Sequence, residues 1–171
     1  MTVEVITNSN VYIDGTSYFG KAKEVQLPEL KHKMVEQKAL GMYGTKEVAA
    51  GLEALEAKIK WSSWLADVIK KAANPYKQAD LAFYGNIEVH GASGLESEKP
   101  AKCFMRGTFK GVPLGTGQPS EGMEIETALS VNYIKLVVDG SDLFEIDVDN
   151  NIYIVDGEDL LAQYRQNLGI S

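Results

Sequence analysis

Period-two alternation of apolar and polar residues constrains this chain more than any other feature. Around Leu81 to Val89, Leu81, Phe83, Ile87 and Val89 fall on one side, and Asp80, Tyr84, Asn86, Glu88 and His90 on the other. Around Lys102 to Lys110, Cys103, Met105 and Phe109 oppose Lys102, Arg106, Thr108 and Lys110. Around Ile125 to Tyr133, Ile125, Leu129, Val131 and Tyr133 oppose Glu126, Ser130 and Asn132. This is the signature of strands with one buried face. Beyond Tyr133 both faces turn apolar, through Ile134, Leu136, Val137 and Val138, so that strand is expected to begin exposed and end buried. Shorter strands are expected at Val11–Ile13, Glu24–Leu27, Leu143–Ile146 and Ile152–Val155. They are separated by turn dipeptides at Asp14-Gly15, Asp139-Gly140, Asn150-Asn151 and Asp156-Gly157. Pro28 limits its strand to an edge or a bulge.

Helical punctuation occurs twice. Trp64, Leu65, Val68, Ile69 and Ala72 make a stripe over 64–73, with Ser62 or Ser63 able to cap it, Lys70 and Lys71 suited to its negative end, and Asn74-Pro75 to stop it. Leu160, Leu161, Tyr164 and Leu168 make another over 158–168, with Asp156 as candidate cap, Arg165 in the last turn and Gly169 beyond. The segment Glu47 to Lys60 reads two ways. Its residues are strong helix formers, yet Ala57, Ile59 and Trp61 alternate with Glu56, Lys58 and Lys60, and Gly51 weakens a helix. Ala39–Lys46, punctuated by Gly41 and Gly44, reads as a protruding hairpin loop. The expectation is one α+β domain over 1–171, mainly antiparallel β, with two peripheral helices and terminal arms at 1–8 and 169–171.

Composition narrows the function. A hydrophobic share of 44% over 171 residues supports one core. The single cysteine, Cys103, rules out an intramolecular disulfide and disfavours a cysteine-based zinc site. No apolar run is long enough to cross a bilayer, and Met1-Thr2-Val3-Glu4 lacks the basic-then-apolar order of a signal peptide, so no membrane anchor is expected. A net charge of −7 argues against tight binding to phosphate. From Asp139 to Asp159 there are eight acids and no Lys or Arg, whereas 21–38 carries five lysines against three glutamates. Such asymmetry is either a solvated acidic face or one half of complementary patches on neighbouring copies.

Catalytic constellations are missing. His32 and His90 lack a partner at metal-ligand spacing. Cys103 occupies an apolar strand position. Gly115-Thr116-Gly117 lacks the third glycine and following helix of a dinucleotide loop, no Walker lysine follows a glycine run, and no serine sits in a nucleophile elbow. Asp147, Asp149, Asn151 and Glu158 fit four positions of a calcium loop, but Ile152 stands where that loop needs glycine. No enzyme activity, cofactor or metal is expected. What remains is a small acidic β-rich domain with many strand edges, and an uncovered edge invites another chain.

Read in order, a further set of residues carries a resemblance: Asn8, Asn10-Val11-Tyr12-Ile13-Asp14-Gly15, Ser17-Tyr18 and Gly20; Val25, Leu27-Pro28, Leu30 and Lys33-Met34; Gly41-Met42 and Gly44; Gly51-Leu52 and Ala54-Leu55-Glu56-Ala57; Met105-Arg106-Gly107; Lys135-Leu136 and Val138-Asp139-Gly140; Glu145-Ile146-Asp147 and Asn151; Val155-Asp156-Gly157, Asp159 and Leu161; Arg165 and Asn167-Leu168-Gly169. Their collinear order resembles the major tail tube protein family of contractile-tailed phages and R-type tailocins, over nearly the whole chain. The resemblance implies a β-barrel or sandwich with a flanking helix, similar to the tube protein of type VI secretion. It also implies hexameric rings that stack into a hollow tube, with strands of each subunit joined into one continuous barrel. It makes Leu55–Trp61 a strand. The implied partners are other copies of the chain, the tail sheath, the baseplate or tube initiator, and a tape-measure protein, with DNA passing through without specific binding. The expected place is the virion tail or tailocin particle, assembled in the host cytoplasm.

Loop length together with the resemblance makes Leu40, Gly41, Met42, Tyr43, Gly44, Asn10 and Arg165 candidate contacts between copies. A channel that must not grip phosphate makes Glu88 and Glu126 candidate lumen residues. Two other readings are carried: a type VI-like secreted ring that transports effectors, and a monomeric β-sandwich that binds carbohydrate. The second needs an exposed aromatic platform, and the eight tyrosines are scattered.

Overall fold

A computed structural model describes residues 1–118 and 122–170. The expected Asp-Gly turns are the first thing it bears out. Asp14 and Gly15 have φ of 49° and 81°, Asp139 and Gly140 51° and 76°, and Asp156 and Gly157 48° and 79°. Both central residues of each turn therefore lie at positive φ, as tight antiparallel hairpins of primed type require. The three turns join β1 (Val3–Ile13) to β2 (Thr16–Ser17), β9 (Ile125–Val138) to β10 (Ser141–Asp147), and β11 (Ile152–Val155) to β12 (Glu158–Asp159).

The remaining strands are β3 (Ala22–Gln26), β4 (His32–Gln37), β5 (Lys46–Leu52), β6 (Leu55–Trp61), β7 (Ala79–Gly91) and β8 (Gly94–Gly111). Every pairing is antiparallel, so the expected mainly antiparallel class holds. The main sheet runs β12-β11-β10-β9-β8-β7-β1-β2, with β3-β6 attached along β9. β4 and β5 form a separate two-stranded ribbon.

β9 organises the fold by changing partners midway. Its first half, Ile125 to Val131, pairs with β6, and its second half, Tyr133 to Val138, with β10. Asn132 is the extra residue at the changeover. Against β8 the register passes from Val131↔Gly107 to Tyr133↔Arg106, a β-bulge. The bulge flips the alternation, so Ile134 is buried while Tyr133 joins the polar face with Arg106. Apolar residues on both faces beyond Tyr133 thus reflect a frame shift, not a strand sinking into the core: Leu136 packs inward and Lys135 outward. The carbonyl of Asn132 accepts the N–H of Val148 at 2.9 Å. Its side-chain amide donates to Asp149 at 2.7 Å. Gly107 sits opposite this point, and a Cβ there would lie 2.0 Å from the carbonyl oxygen of Ser130, so only glycine fits.

Six strands, β3-β6-β9-β8-β7-β1, wrap around one core. Leu55, Ala57, Ile59 and Trp61 of β6 meet Ile13, Leu81, Phe83, Cys103, Met105, Phe109, Leu129 and Ile134 there. Trp61 donates its indole N–H to the buried Thr127 hydroxyl at 3.0 Å, so neither polar group is stranded. α1 (Ala66–Ala72) packs Val68 and Ala72 into the same core. It is shorter than the stripe predicts. Leu65 stands at its N-cap without a side-chain cap, because Ser62 instead donates to the carbonyl of Lys21 at 2.9 Å.

The second helix is also shorter than expected. α2 spans Ala162–Asn167, and Glu158 and Asp159 of the predicted first turn form β12. Asp156 is no helix cap, since it takes the left-handed turn position described above. At the N-terminus, residues 3–8 are not a free arm: Val3 to Ile13 pairs with β7 from His90 to Leu81, with a bulge at Thr7. Ile170 ends the described C-terminus, and Ser171 of the expected terminal arm lies outside the described residues.

Candidate assembly surface

The sheet stops short of closing. The outer edges of β1 and β3 face each other across a cavity of about 40 Å³ lined by Ser9, Asn10, Val11, Ala22 and Val25, without a ladder between them. Tyr18 bridges the base of the gap, its N–H donating to the carbonyl of Val11 at 2.9 Å and its ring edge-on to Trp61 at 5.3 Å. Its hydroxyl is buried without a partner among the described residues. A β-barrel is therefore present in outline but open along one seam. The β1 edge continues past the seam with Val3, Val5 and Ile6 roughly half exposed.

The ribbon β4–β5 is the second unfinished part. Leu27, Leu30 and Leu52 tie its base to the core, and the N–H of Glu53 donates to the carbonyl of Lys31 at 2.8 Å. Beyond that base every residue from His32 to Gly51 is exposed. Met34, Val35 and Val48 lie in solvent on its two faces. At its tip, Leu40 and Tyr43 are fully exposed, Met42 partly so, and Gly41 takes a φ of 87° that favours glycine. The structure thus gathers five candidate contact residues, Leu40, Gly41, Met42, Tyr43 and Gly44, on one projection. Asn10 lies apart, on the seam, its amide 3.1 Å from the Ser17 hydroxyl. Arg165 is engaged within the chain: its guanidinium donates to the carboxylate of Asp159 and, at 2.9 Å, to the carbonyl of Asn151. That fork fastens α2 to the β11 hairpin.

The polar face of the sheet carries Glu88 and Glu126, on β7 and β9 respectively. Glu88 lies 2.9 Å from the ring of His90. Glu126 stands opposite Lys60, which is 3.5 Å from Glu24. Acids and bases alternate along this face. Arg106 is 2.8 Å from Asp80 and Lys135 is 3.3 Å from Asp142. The hydrogen bond from Lys110 is the main reason the Glu56 carboxyl titrates below its ordinary value. Burial first, and donation to Glu145 at 3.0 Å second, push the Tyr133 hydroxyl up to about 12.

Chemistry-bearing residues have structural occupations. Burial pushes the Cys103 thiol up to about 12, far from a reactive thiolate. Asp147, the first position of the calcium-like spacing, accepts the backbone N–H of Asp149 and Asn150 at 3.1 and 3.2 Å and so closes the β10–β11 turn. His32 is exposed and stacks near Tyr153, ring centres 6.0 Å apart.

Two parts of this surface escaped sequence reasoning. The Val3–Ile6 edge has too few residues of clean alternation, because the Thr7 bulge shifts its frame. Lys70 and Lys71 read only as cations suited to a helix end, and Lys77, beyond the Asn74-Pro75 stop, carries no pattern of its own.

Comparison with known proteins addresses the whole of this architecture. Residues 3–169 match the family described as phage tail tube protein FII. The tail tube protein of Escherichia phage P2 is 32% identical over 165 residues, 94% of each chain. The major tail tube protein of Serratia phage KSP20 is 32% identical over 152 residues, 88% of this chain and 86% of its own. An open barrel, an uncovered ribbon and a family match spanning both lead to one conclusion: the chain belongs to the phage tail tube protein family, structural components of the virion tail and not enzymes.

Proposed function

We propose that copies of this chain assemble into hexameric rings, and that the rings stack into the inner tube of a contractile tail or tailocin, a conduit for DNA and tape-measure protein during ejection. The observation that carries the reading is the unfinished fold. A two-stranded ribbon is marginally stable in water at best, yet here it projects with both faces bare, and the main sheet leaves two edges at one seam. Unpaired edges are a hazard unless another chain covers them. A contact between unlike surfaces closes into a ring when its rotation closes and extends into a filament when it carries axial rise. Copies of the same chain would complete the seam and bury the ribbon together. Sheath and baseplate would then meet the finished tube's exterior and end.

The channel follows from the same assembly. Glu88 and Glu126 are assigned to its wall, where carboxylates repel phosphate and let DNA pass without gripping it. A strongly basic channel in the assembled tube contradicts that assignment. The test of assembly itself is deletion of residues 40–45. The purified variant is expected to stay a folded, soluble subunit that forms no tubes by negative-stain microscopy under conditions where the full chain does. Normal tubes from the variant refute the ribbon's role.

A further inference from the structure

The ribbon's two faces are chemically unlike. Its register, Met34↔Ala49, Val35↔Val48, Glu36↔Glu47 and Gln37↔Lys46, places Glu36 and Glu47 directly opposite each other on one face. Like charges in that position destabilise a strand pair. No cation of this chain lies within ion-pair distance of either glutamate among the described residues. The acidic face is thus a liability in the lone subunit, and a cation from another molecule would relieve it.

A basic hollow of about 220 Å³ lies elsewhere on the surface, lined by Lys70, Lys71 and Lys77 together with Asp14, Asn74 and Gln78. Lys71 is 3.3 Å from Asp14. Lys70 and Lys77 are exposed and make no ion pair among the described residues. Proximity to the negative end of α1 accounts for Lys70. It does not account for Lys77, which lies beyond the helix.

The ribbon face and the hollow share no lining residue. A contact between two such unlike surfaces on different copies is head-to-tail, and it repeats from copy to copy.

We propose that the Glu36–Glu47 face of one copy's ribbon docks in the Lys70–Lys77 hollow of a second copy. The two carboxylates take the two free ammonium groups, and Met34 lies against the lysine stems. The proposal rests on the self-assembly reading above and names the surface that reading leaves open.

Charge exchange tests it in the full chain. The pair Glu36→Lys with Glu47→Lys, the pair Lys70→Glu with Lys77→Glu, and the four substitutions together are compared with wild type. Folding is checked by thermal melting, and tube onset by sedimentation and negative-stain microscopy. Each reversed pair is expected to raise the concentration at which tubes appear by about tenfold or more, and the fourfold exchange to bring it back to within about threefold of wild type. Because a reversal can act by unfolding, Lys70→Gln with Lys77→Gln is measured beside them, and is expected to shift onset the same way by less. Wild-type onset in either reversed pair, or a fourfold exchange no better than its parent pairs, overturns the docking while leaving self-assembly intact. Failure of the wild-type chain to form tubes under any condition overturns both.

Discussion

β5 and β6 are neighbours in sequence, separated by Glu53 and Ala54, and similar in composition, yet they live in different surroundings. β6 alternates buried and half-buried from Leu55 to Trp61, with Leu55, Ala57, Ile59 and Trp61 no more than 2% exposed. It is hydrogen-bonded on both sides, to β3 and β9. β5 pairs with β4 alone, and six of its seven residues are exposed. Helix propensity is high in both segments and decides neither. For β6 the burial of one face overrides it. For β5 nothing inside the chain offers comparable cover, so whatever makes that strand worthwhile lies outside the subunit. The contrast separates what the subunit stabilises by itself from what it holds ready for assembly.

That division can be broken experimentally, and the largest effect belongs to the self-sufficient half. Gly107→Ala puts a Cβ 2.0 Å from the Ser130 carbonyl at the point where β9 exchanges β6 for β10. Backbone must move, and a loss of about 3 kcal/mol in urea unfolding is expected. A loss under about 1 kcal/mol would mean that the bulge is not fixed by this close approach. Trp61→Phe comes next. It removes the donor to Thr127 and leaves that buried hydroxyl unpaired, so about 2 kcal/mol should be lost. The ribbon should behave in the opposite sense. Val35→Ser with Val48→Ser is expected to move the stability of the unassembled subunit by no more than about 0.5 kcal/mol, as exposed substitutions do, while weakening tube formation. If the double variant instead unfolds as readily as Trp61→Phe, the ribbon is supported by its own chain and the contrast fails.

The same contrast explains what the sequence discloses. Strands that bury one face, such as Leu81 to Val89, are legible because water enforces the alternation. The Asp-Gly hairpins are legible because positive φ at both central residues selects those residue types. The ribbon is legible only as a glycine-marked excursion, since solvent on both faces imposes no period. Frame shifts are harder still: the bulges at Thr7 and Asn132 each add one residue and invert the pattern, so Val3 to Ile6 carry no period continuous with Val11–Ile13, and the frame of Ile125 to Val131 puts Tyr133 on the core face. The doublet Tyr133-Ile134 next to a strand glycine, Gly107, is the available signal. The contact candidates at 40–44 followed from loop length together with family resemblance. The hollow of Lys70 and Lys77 did not, because it forms only when the start of β7 folds back beside α1.

α2 supplies a third case, mostly exposed and held by charge, and it yields the smallest expected effect. Asp159 accepts the Arg165 guanidinium and the N–H of Leu161, and the Arg165 hydrogen bond is the main cause that keeps its carboxyl below the ordinary value. A carboxyl with a lowered folded pKa contributes stability above its unfolded value, and that contribution fades as pH falls through the folded one. The fork therefore holds α2 at neutral pH and releases it only in acid below the usual carboxylate range. Arg165→Ala should raise the titration of Asp159 toward that range and leave the carbonyl of Asn151 without its donor. Amide exchange at Gln163 to Asn167 should accelerate at neutral pH in the variant as it does in wild type only in acid, while β6 stays protected in both. An Asp159 titration that does not move, read by carboxyl NMR, would show that the turn alone, through Leu161, sets the carboxyl and that α2 is held by packing of Leu161 and its neighbours. Faster exchange reaching β6 would show instead that the C-terminal segment is part of the cooperative core, and the boundary between the barrel and its attachments would have to be redrawn to include it.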